Sequence, residues 1–499
     1  MGGSGVENGN GAGPQHPGDG SAPPAYAADN AELTPEALAE LTSAFSSLHL
    51  PSSPADLSPD SCLAHLKLLY AFQNLKDDVG YTDGLWQIFD SRAELDTFDY
   101  GKDISTKESG PQERVIRNLA RLREKRWALY VARAVDRYDA WWDTLPKDPL
   151  TEADMESHDQ SKYSGFIKEG HSFPFDSSML PPLDVLLVWH SHMLNPRAYL
   201  EDCLRHGLKG LWHMGLPWNL VNGAIDAEFN YKATEECQNS WKERTWREWD
   251  NVNDPPKKSL KCPVCSKKCQ IPWTTCGVPE DYKYLPPKLD GDGFGDGSLR
   301  VECSGCGALI NRRLLEVARF VKDTHGLLVQ ERPMPGTILS LQTGLPEKIP
   351  EDREGQSFPR TFPNRLLKKH LRSRILELMS RNSYMQPSME DVRKSIEDTV
   401  KPWNYKVLQE IDGARGWKSG YKLSTTARTH LRKMMSRYWD NIYPFALDLT
   451  GAVHRQGIFT EKMYKVRDNV PYTHLSRLFC TRSIGSIVQQ LVRRCLASY

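Results

Sequence analysis

The sequence has no apolar run long enough to cross a bilayer. Its longest unbroken apolar run, residues 127–132, is six residues long, whereas a membrane helix needs roughly 18–20. Residues 1–30 contain eight glycines and four prolines, and Val6 is their only large aliphatic residue. Such a segment resembles neither a secretory signal nor a folded core. We therefore expect no membrane partner, a disordered tail over residues 1–30 and a cytoplasmic or nuclear protein.

The sequence also lacks the short motifs of common active sites. It contains no nucleophile elbow, Walker loop, dinucleotide fingerprint or HExxH motif. Histidines and carboxylates occur in any chain of this length, so their presence alone does not indicate catalysis. The leading hypothesis is therefore a non-enzymatic interaction or scaffold protein.

The net charge is zero, but the charge is distributed unevenly along the chain. Residues 361–499 contain 25 Lys and Arg against 11 Asp and Glu, which leaves residues 1–360 equally acidic. The basic part can dock on the acidic part, or it can bind an anionic partner such as RNA. We favour docking, and nucleic-acid binding through residues 361–499 stays the alternative function.

Hydrophobic periodicity predicts a mainly α fold. Between residues 111 and 145, apolar residues recur every three or four positions, as in a helix that lies on a core. The members of this stripe are Ile116, Ala120, Trp127, Tyr130, Ala134, Tyr138 and Trp141. Strands are expected only around the cysteines, so we predict a multi-helix globular protein with a small zinc-ribbon-like β module.

Most cysteines lie in one short region. Six of the eleven lie between residues 262 and 306, and such clustering without a secretory signal favours metal binding over disulfides. Cys262/Cys265 and Cys303/Cys306 form two CxxC pairs, in which one tight turn can present both sulfurs to one ion. Four thiolates would form a closed, structural Zn²⁺ site.

The spacing of the two pairs leaves alternatives open. Thirty-seven residues separate them, which is more than a compact zinc ribbon usually contains. Cys269 and Cys276 are therefore rival ligands. A Gly/Asp-rich loop over residues 290–297 can account for the extra length. This loop resembles a calcium loop only superficially, because it lacks the terminal bidentate Glu and the flanking helices.

Two histidines follow an apolar run over residues 185–189. On a strand His190 and His192 would share a face, whereas on a helix they would diverge by roughly 200°. We favour a buried, hydrogen-bonded pair near a helix–helix junction. A metalloenzyme site at these histidines, completed by carboxylates, is a less favoured alternative, and the nearby carboxylates are Asp184, Glu201 and Asp202.

These patterns divide the chain into five segments. They are a disordered tail (1–30), a helical domain (31–256), a four-cysteine module (257–325), a Pro- and Gly-rich linker (326–361) and a basic helical region (362–499).

Several strings resemble the glycine-rich domain-containing protein-like family in its fungal form. The most specific is Trp-His-Ser-His-Met-Leu-Asn-Pro over residues 189–196. The others are residues 65–69, 71–72, 78–80, 333–337, 434–439, 444–449 and 452–453, together with the two CxxC pairs. The resemblance ends near residue 466. Members of the family are largely uncharacterised. Plant members carry a glycine-rich tail, sometimes with an RNA-binding module, whereas this sequence has neither a C-terminal glycine-rich tail nor an RNP-type aromatic motif. RNA binding therefore does not carry over from the resemblance.

Overall fold

The structure, a computed structural model, describes most of the chain between residues 59 and 467. The described ranges are 59–95, 110–348 without 158, 169, 171–172, 283 and 286–287, 358–380, 386–413 and 419–467, with a few positions between 35 and 50 and backbone alone after 458. The predicted tail over residues 1–30 and the segment after 467 lie outside these ranges. The described residues form a mainly α-helical fold with two small antiparallel sheets, as predicted. None of the described helices could span a membrane.

Eight helices of the described residues from 59 to 245 surround one large apolar core. They are α1 (Pro59–Tyr81), α2 (Pro111–Thr144), α3 (Glu152–Glu156), α4 (Leu183–Met193), α5 (Pro196–His206), α6 (Lys209–Met214), α7 (Trp218–Ala224) and α8 (Glu235–Thr245). The largest fully buried side chains of this core are four tryptophans: Trp141, Trp142, Trp189 and Trp241. Each indole removes on the order of 200 Å² from water, so the aromatic residues supply much of the apolar burial here.

Helix α2 confirms the predicted long helix, with one difference in its apolar stripe. Pro111 starts it, because a fixed φ and a missing N–H suit the first helical turn. The stripe is buried from Trp127 onwards, but its first two members are exposed, Ile116 by 57% and Ala120 as well. The first turns pack instead on a 3₁₀ turn at Asp90–Glu94, where Asn118 donates a 2.9 Å hydrogen bond to the backbone.

Arg137 of α2 is buried and fully engaged. Its guanidinium donates to Asp184 at 2.8 Å and to Asp254 at 2.6 Å, and also to the carbonyls of Glu248 and Trp249. Two carboxylates and two carbonyls therefore hold one cation in the interior. A buried charge is tolerated only with such complete pairing.

Two further arginines of α2 bind backbone carbonyls in the same way. Arg126 donates to the carbonyls of Gly80 and Ile88 at 2.7 and 2.6 Å. Arg133 donates to the side chain and the carbonyl of Asn251 at 2.9 and 2.7 Å. The buried guanidinium groups of α2 thus hold the chain at residues 80–88 and 248–254 against this helix.

Two β-hairpins carry the CxxC pairs. β1 (Lys257–Lys261) pairs with β2 (Lys268–Pro272), and β3 (Arg300–Glu302) pairs with β4 (Leu309–Asn311). Their small apolar core rests on α2 through the buried Leu129. This arrangement is compatible with the predicted zinc-ribbon-like module.

The helices after the β module enclose a second apolar core. They are α9 (Arg312–Gln330), α10 (Phe362–Leu366), α11 (Arg372–Glu377), α12 (Met389–Thr399), α13 (Tyr405–Asp412) and α14 (Thr425–Ser436). A π-helical turn at Leu367–Leu371 joins α10 to α11, and the last helix of the described part of the chain, α15 (Leu449–Arg467), returns to pack on α4. Further 3₁₀ turns lie at Leu85–Gln87, Ser177–Met179, Asn251–Asn253, Pro359–Thr361 and Pro402–Asn404.

Ion pairs join the basic C-terminal part to the acidic N-terminal part. Arg437 donates to the fully buried Glu201 at 2.6 Å, and Lys368 pairs with Glu152. Both pairs connect residues after 361 with helices of the first core. Part of the positive charge after residue 361 is therefore neutralised within the molecule.

Residues 334–340, within the segment predicted as a Pro- and Gly-rich linker, lie largely in the interior. The carboxylate of Glu201 accepts the amide of Gly336, and His430 Nδ1 donates to the Gly336 carbonyl at 2.9 Å. Burial of backbone polar groups requires such partners. The Pro- and Gly-rich composition gave no sign of them, because both partners come from distant helices.

Arg137→Met should destabilise the protein by about 3–5 kcal/mol, because it leaves two buried carboxylates without their cation. Urea unfolding measures the change. The control is Arg117→Met on the same helix, where a partly exposed arginine pairs with Glu113 and its loss should cost less than about 1 kcal/mol. Equal, small losses in both variants would contradict the role of the buried cation.

Candidate functional site

The structure brings the four cysteines of the CxxC pairs together. All four sulfurs lie within 4.8 Å of one another. Cys262 Sγ and Cys306 Sγ are 3.8 Å apart, and Cys265 Sγ and Cys303 Sγ are 3.6 Å apart. Sulfurs about 2.3 Å from one tetrahedral ion are about 3.8 Å from each other. The cluster could therefore bind a metal ion without rearrangement of the backbone.

The two turns that carry these cysteines have the same hydrogen bonds. The amide of Cys262 donates to the Lys267 carbonyl, and its carbonyl accepts from Ser266, both at 2.8 Å; the turn at Cys303 repeats this at 2.9 and 2.8 Å. Each turn closes through a left-handed residue, Ser266 with φ 62° and Gly307 with φ 72°. Matched turns at two hairpin tips are the local structure of a zinc knuckle.

The second turn favours the thiolate form of Cys303. Burial raises the pKa of this thiol, but the amides of Gly305 and Cys306 and the thiols of Cys262 and Cys265 donate toward it and outweigh burial. The pKa of Cys303 falls to about 6. The thiolate is the form that binds metals.

The two rival cysteines differ in position. Cys269 faces the core of the β module, and its sulfur is 3.7 Å from that of Cys303, although the cluster of four does not include it. Cys276 lies elsewhere, with its sulfur 3.4 Å from an Asp296 oxygen and 3.5 Å from the Leu289 carbonyl. Of the rivals, only Cys269 is near enough to approach a bound ion.

The Gly/Asp-rich loop is organised by an ion pair. The carboxylate of Asp296 is fully buried and binds Lys125 Nζ at 2.8 Å. It also accepts the amides of Thr275 and Gly293 at 2.9 and 3.0 Å and the Thr274 hydroxyl at 2.9 Å. The ammonium group of Lys125 therefore occupies the place of the cation that a calcium loop would bind.

A cavity of about 1400 Å³ lies between α2, the loop over residues 275–290 and the start of α15. Several of its charged residues are already engaged. Lys125 binds Asp296, Glu124 pairs with Lys76, and Asp448 accepts amides of the first turn of α15.

His192 is buried between two partners. Its Nδ1 is 3.1 Å from the Tyr138 hydroxyl, and its Nε2 is 3.0 Å from Asp202 Oδ2. Asp202 in turn accepts the amide of Ala446 at 2.8 Å. His192 thus joins α4 to α2 and α5 through hydrogen bonds in the interior.

His190 has a partner that the sequence analysis missed. Its Nε2 is 2.9 Å from Nε2 of His65 on α1, and Trp218 and Phe72 pack around the two rings. Burial lowers the pKa of His190 to about 3 and that of His65 to about 4, so both rings are neutral near pH 7. No sequence signal joins two histidines that are 125 residues apart.

The two histidines of the motif do not converge on one point. Both lie on α4, where His190 contacts α1 and His192 contacts α2 and α5. Of the three candidate carboxylates, Asp202 binds His192, while Asp184 and Glu201 bind arginines. The described geometry places the two rings in separate hydrogen-bonded pairs.

The His65–His190 pair should cost the protein stability as the pH falls from about 6.5 towards 4. Because burial lowers the pKa of both histidines, the unfolded chain binds more protons at these two sites in this window. His65→Gln should reduce this loss by up to about 3 kcal/mol.

Burial raises the pKa of the Asp139 and Glu316 carboxyls to about 7, and their opposite contribution is common to the wild type and the variant. The pKa values of buried His206 and His430 are also lowered. These two histidines contribute equally to the pH dependence of the wild type and of His65→Gln.

Urea unfolding at several pH values, under the same metal loading, measures this difference. The control is His454→Gln, at an exposed position, which should leave the pH dependence unchanged. A pH dependence that is identical in wild type and His65→Gln would contradict the assignment.

Comparison with known proteins gives one family match. No curated protein and no solved structure matches the chain. Residues 98–202, which include the Trp-His-Ser-His-Met-Leu-Asn-Pro string, match the model of the glycine-rich domain-containing protein-like family. Over this stretch the chain carries the sequence pattern of the glycine-rich domain-containing protein-like family, as its motifs predicted.

Proposed function

We propose that the protein is a non-enzymatic interaction protein whose β module is held together by one structural zinc ion. The observation that carries this proposal is the cluster of four thiols at two matched turns. Four protein ligands complete a tetrahedral shell and leave no position for a substrate. A metal held in this way supports structure and does not act on bound molecules.

The surroundings of the cluster favour zinc in particular. Four sulfurs in a tetrahedron suit zinc or an iron–sulfur centre and disfavour the hard cations calcium and magnesium. Four thiolates with Zn²⁺ carry two negative charges. The first hairpin, residues 257–272, contains five lysines and no carboxylate, so its charge complements such a centre. Thiolates persist in a reducing compartment, which supports a cytoplasmic or nuclear location.

The β module needs a stabilising element of this kind. Its strands are three to five residues long, and isolated two-stranded hairpins are marginal in water. Zinc would link two hairpins that are far apart in the chain. Apparent zinc-binding energies of about 10–16 kcal/mol in small zinc peptides show how much folding energy this can supply.

The histidine motif supports a role in packing over a role in catalysis. His190 pairs with His65, and His192 pairs with Tyr138 and Asp202. Each ring joins two helices of the first core. We therefore propose that His190 and His192 serve the packing of the helical core and that partners bind to exposed surfaces.

Purified protein should contain one zinc per chain, and Cys303→Ser should lose it, because the remaining three thiols cannot complete the shell. Cys276→Ser is the matched control and should retain zinc, since this thiol lies beside Asp296. Elemental analysis measures both. Retention of zinc in Cys303→Ser together with its loss in Cys269→Ser would identify a different ligand set.

Removal of zinc should loosen the β module and leave the first core folded. Hydrogen exchange after chelation should show lost protection at β1–β4 and unchanged protection in α4 and α5, because the buried apolar residues of these two helices belong to the first core and not to the apolar core of the β module. Uniform loss of protection, or no loss at all, would contradict a structural role confined to the module.

A second variant separates the scaffold proposal from a metalloenzyme. His190→Ala/His192→Ala should keep the same single zinc as wild type, although it will be less stable. A second metal that is lost only in this variant would favour an enzyme and overturn the non-enzymatic proposal.

A further inference from the structure

Three of the strings that resemble the glycine-rich domain-containing protein-like family meet at the start of α5. They contain Pro196, Gly336 and Arg437. Glu201, in the second turn of α5, accepts the amide of Gly336 and binds Arg437 Nη2 at 2.6 Å. Gly336 has φ 86°, and a Cβ there would lie 2.6 Å from the Met434 amide nitrogen. The backbone is thus closely packed at a junction that lies outside the cysteine cluster.

Four charged side chains converge at this junction. Arg197 and Glu201 are four residues apart on α5, so they lie on one face of that helix. Lys433 and Arg437 are four residues apart at the end of α14 and share a face in the same way. The ion pair between Arg437 and Glu201 therefore brings the two faces together.

The pKa of Lys433 reflects this convergence. Burial lowers the pKa of Lys433, and Glu201 opposes the effect of burial. The guanidinium groups of Arg437 and Arg197 lower this pKa further, so both act on the ammonium group through space. Arg360 acts in the same direction, but it is already paired with a carboxylate of this chain.

The cationic cluster, Arg197, Lys433 and Arg437 around Glu201, carries more positive than negative charge. Three cations face one carboxylate, which leaves two positive charges. In the part of the chain that the structure describes, Arg197 and Lys433 form no ion pair. Arg197 is exposed, and Lys433 and Arg437 are half-buried, so a small ligand can reach them. Like charges held together repel each other, and a bound anion would remove this repulsion.

Helix stability does not account for Arg197. This residue lies in the first turn of α5, where the helix dipole favours anions and disfavours a cation. Its guanidinium packs on Gly344, where a Cβ would lie 2.6 Å from Arg197 Nε. Asn195 before the helix provides no side-chain cap, and its amide instead donates to the Ser191 carbonyl at 2.9 Å. The start of α5 thus adds its positive dipole to the cationic cluster.

The guanidinium of Arg437 is not fully satisfied by Glu201. Its Nη2 donates to the Glu201 carboxylate, whereas its Nε is buried without a hydrogen-bond partner among the described residues. A buried donor without a partner costs free energy. A further acceptor at this place would therefore be favourable.

We propose that Arg197, Lys433 and Arg437 bind the dianionic phosphate group of a small phosphate monoester or of free phosphate. Such a group carries close to two negative charges near pH 7, which matches the net charge of the cationic cluster. Guanidinium groups bind phosphate oxygens through paired N–H donors, and an ammonium group adds a point charge. A nucleic-acid phosphate or a carboxylate carries only one negative charge and matches less well. The site lies outside the β module and does not depend on zinc.

Isothermal titration calorimetry of the full chain with inorganic phosphate and with glycerol 3-phosphate, at about pH 7.5, tests the site. Lys433→Gln and Arg197→Gln should each weaken binding at least about tenfold, because a charge-assisted hydrogen bond is lost. The matched control is Arg432→Gln, which removes the same charge at an exposed neighbour on α14 and should change the affinity less than about twofold. Higher affinity for glycerol 3-phosphate would identify an ester as the ligand, and the reverse would identify free phosphate.

The thermal midpoint separates binding from a structural role. Without ligand, Lys433→Gln should keep or raise the midpoint, because it relieves repulsion between cations. A lower midpoint together with unchanged phosphate binding would assign Lys433 to structure and contradict the proposal. Arg437 is left in place, because its loss would leave the buried Glu201 carboxylate unpaired.

The pH dependence of binding identifies the charge that the cationic cluster recognises. A phosphate monoester acquires its second negative charge near pH 6, so glycerol 3-phosphate should bind more tightly at about pH 7.5 than at about pH 5.5. Sulfate carries two charges at both pH values and should bind equally at both. His430, which neighbours Lys433 on α14, does not titrate in this window, because burial lowers its pKa to about 4.

Phosphate binding that is absent from the wild type, or equal in the wild type and Lys433→Gln, would overturn this inference. Equal weakening in Lys433→Gln and Arg432→Gln would indicate only general attraction by basic surface. Tighter binding of oligouridylate than of glycerol 3-phosphate, lost in Lys433→Gln, would point to nucleic acid instead. Glycerol 3-phosphate binding that appears only after Glu351, Asp352 and Glu354 are changed to Gln would show that carboxylates of this chain neutralise the cluster, and would also contradict the proposal. Each of these results leaves the zinc proposal unchanged.

Discussion

Burial of three guanidinium groups on α2 is the constraint on which the rest of the first core depends. A buried cation must be paired, and the partners of Arg126, Arg133 and Arg137 come from α1, from α4 and from the segments at Ile88 and residues 251–254. Each guanidinium is satisfied only while these segments lie against α2. The helix that contributes Trp141 and Trp142 to the first core therefore also holds these segments against it.

The same helix also positions the β module. Leu129 contributes to the small apolar core of the module, and the guanidinium of Arg133 lies 5.3 Å from the ring centroid of Trp273. Lys125 binds Asp296 in the long loop between the CxxC pairs, and Asp136 binds β1 through Lys258. Contacts along α2 therefore orient the two hairpins. A metal ion would need only to link the cysteines at the two hairpin turns.

Local patterns in the sequence were sufficient for some features and not for others. The long helix and the four-cysteine grouping could be predicted, because periodicity and CxxC spacing are local signals. The pairing of His190 with His65 could not, since the residues are 125 positions apart. Burial of Arg137 contradicts the usual exposure of charged residues, and residues 334–340 are buried by partners on distant helices. These features depend on tertiary contacts that composition does not encode.

The central claim is that four thiolates close a structural zinc site at Cys262, Cys265, Cys303 and Cys306. X-ray absorption at the zinc edge tests it most directly on the purified full chain. We expect four sulfur neighbours at about 2.3 Å and no lighter ligand. A shell with an oxygen or nitrogen neighbour, and hence an open or exchangeable position, would contradict the account.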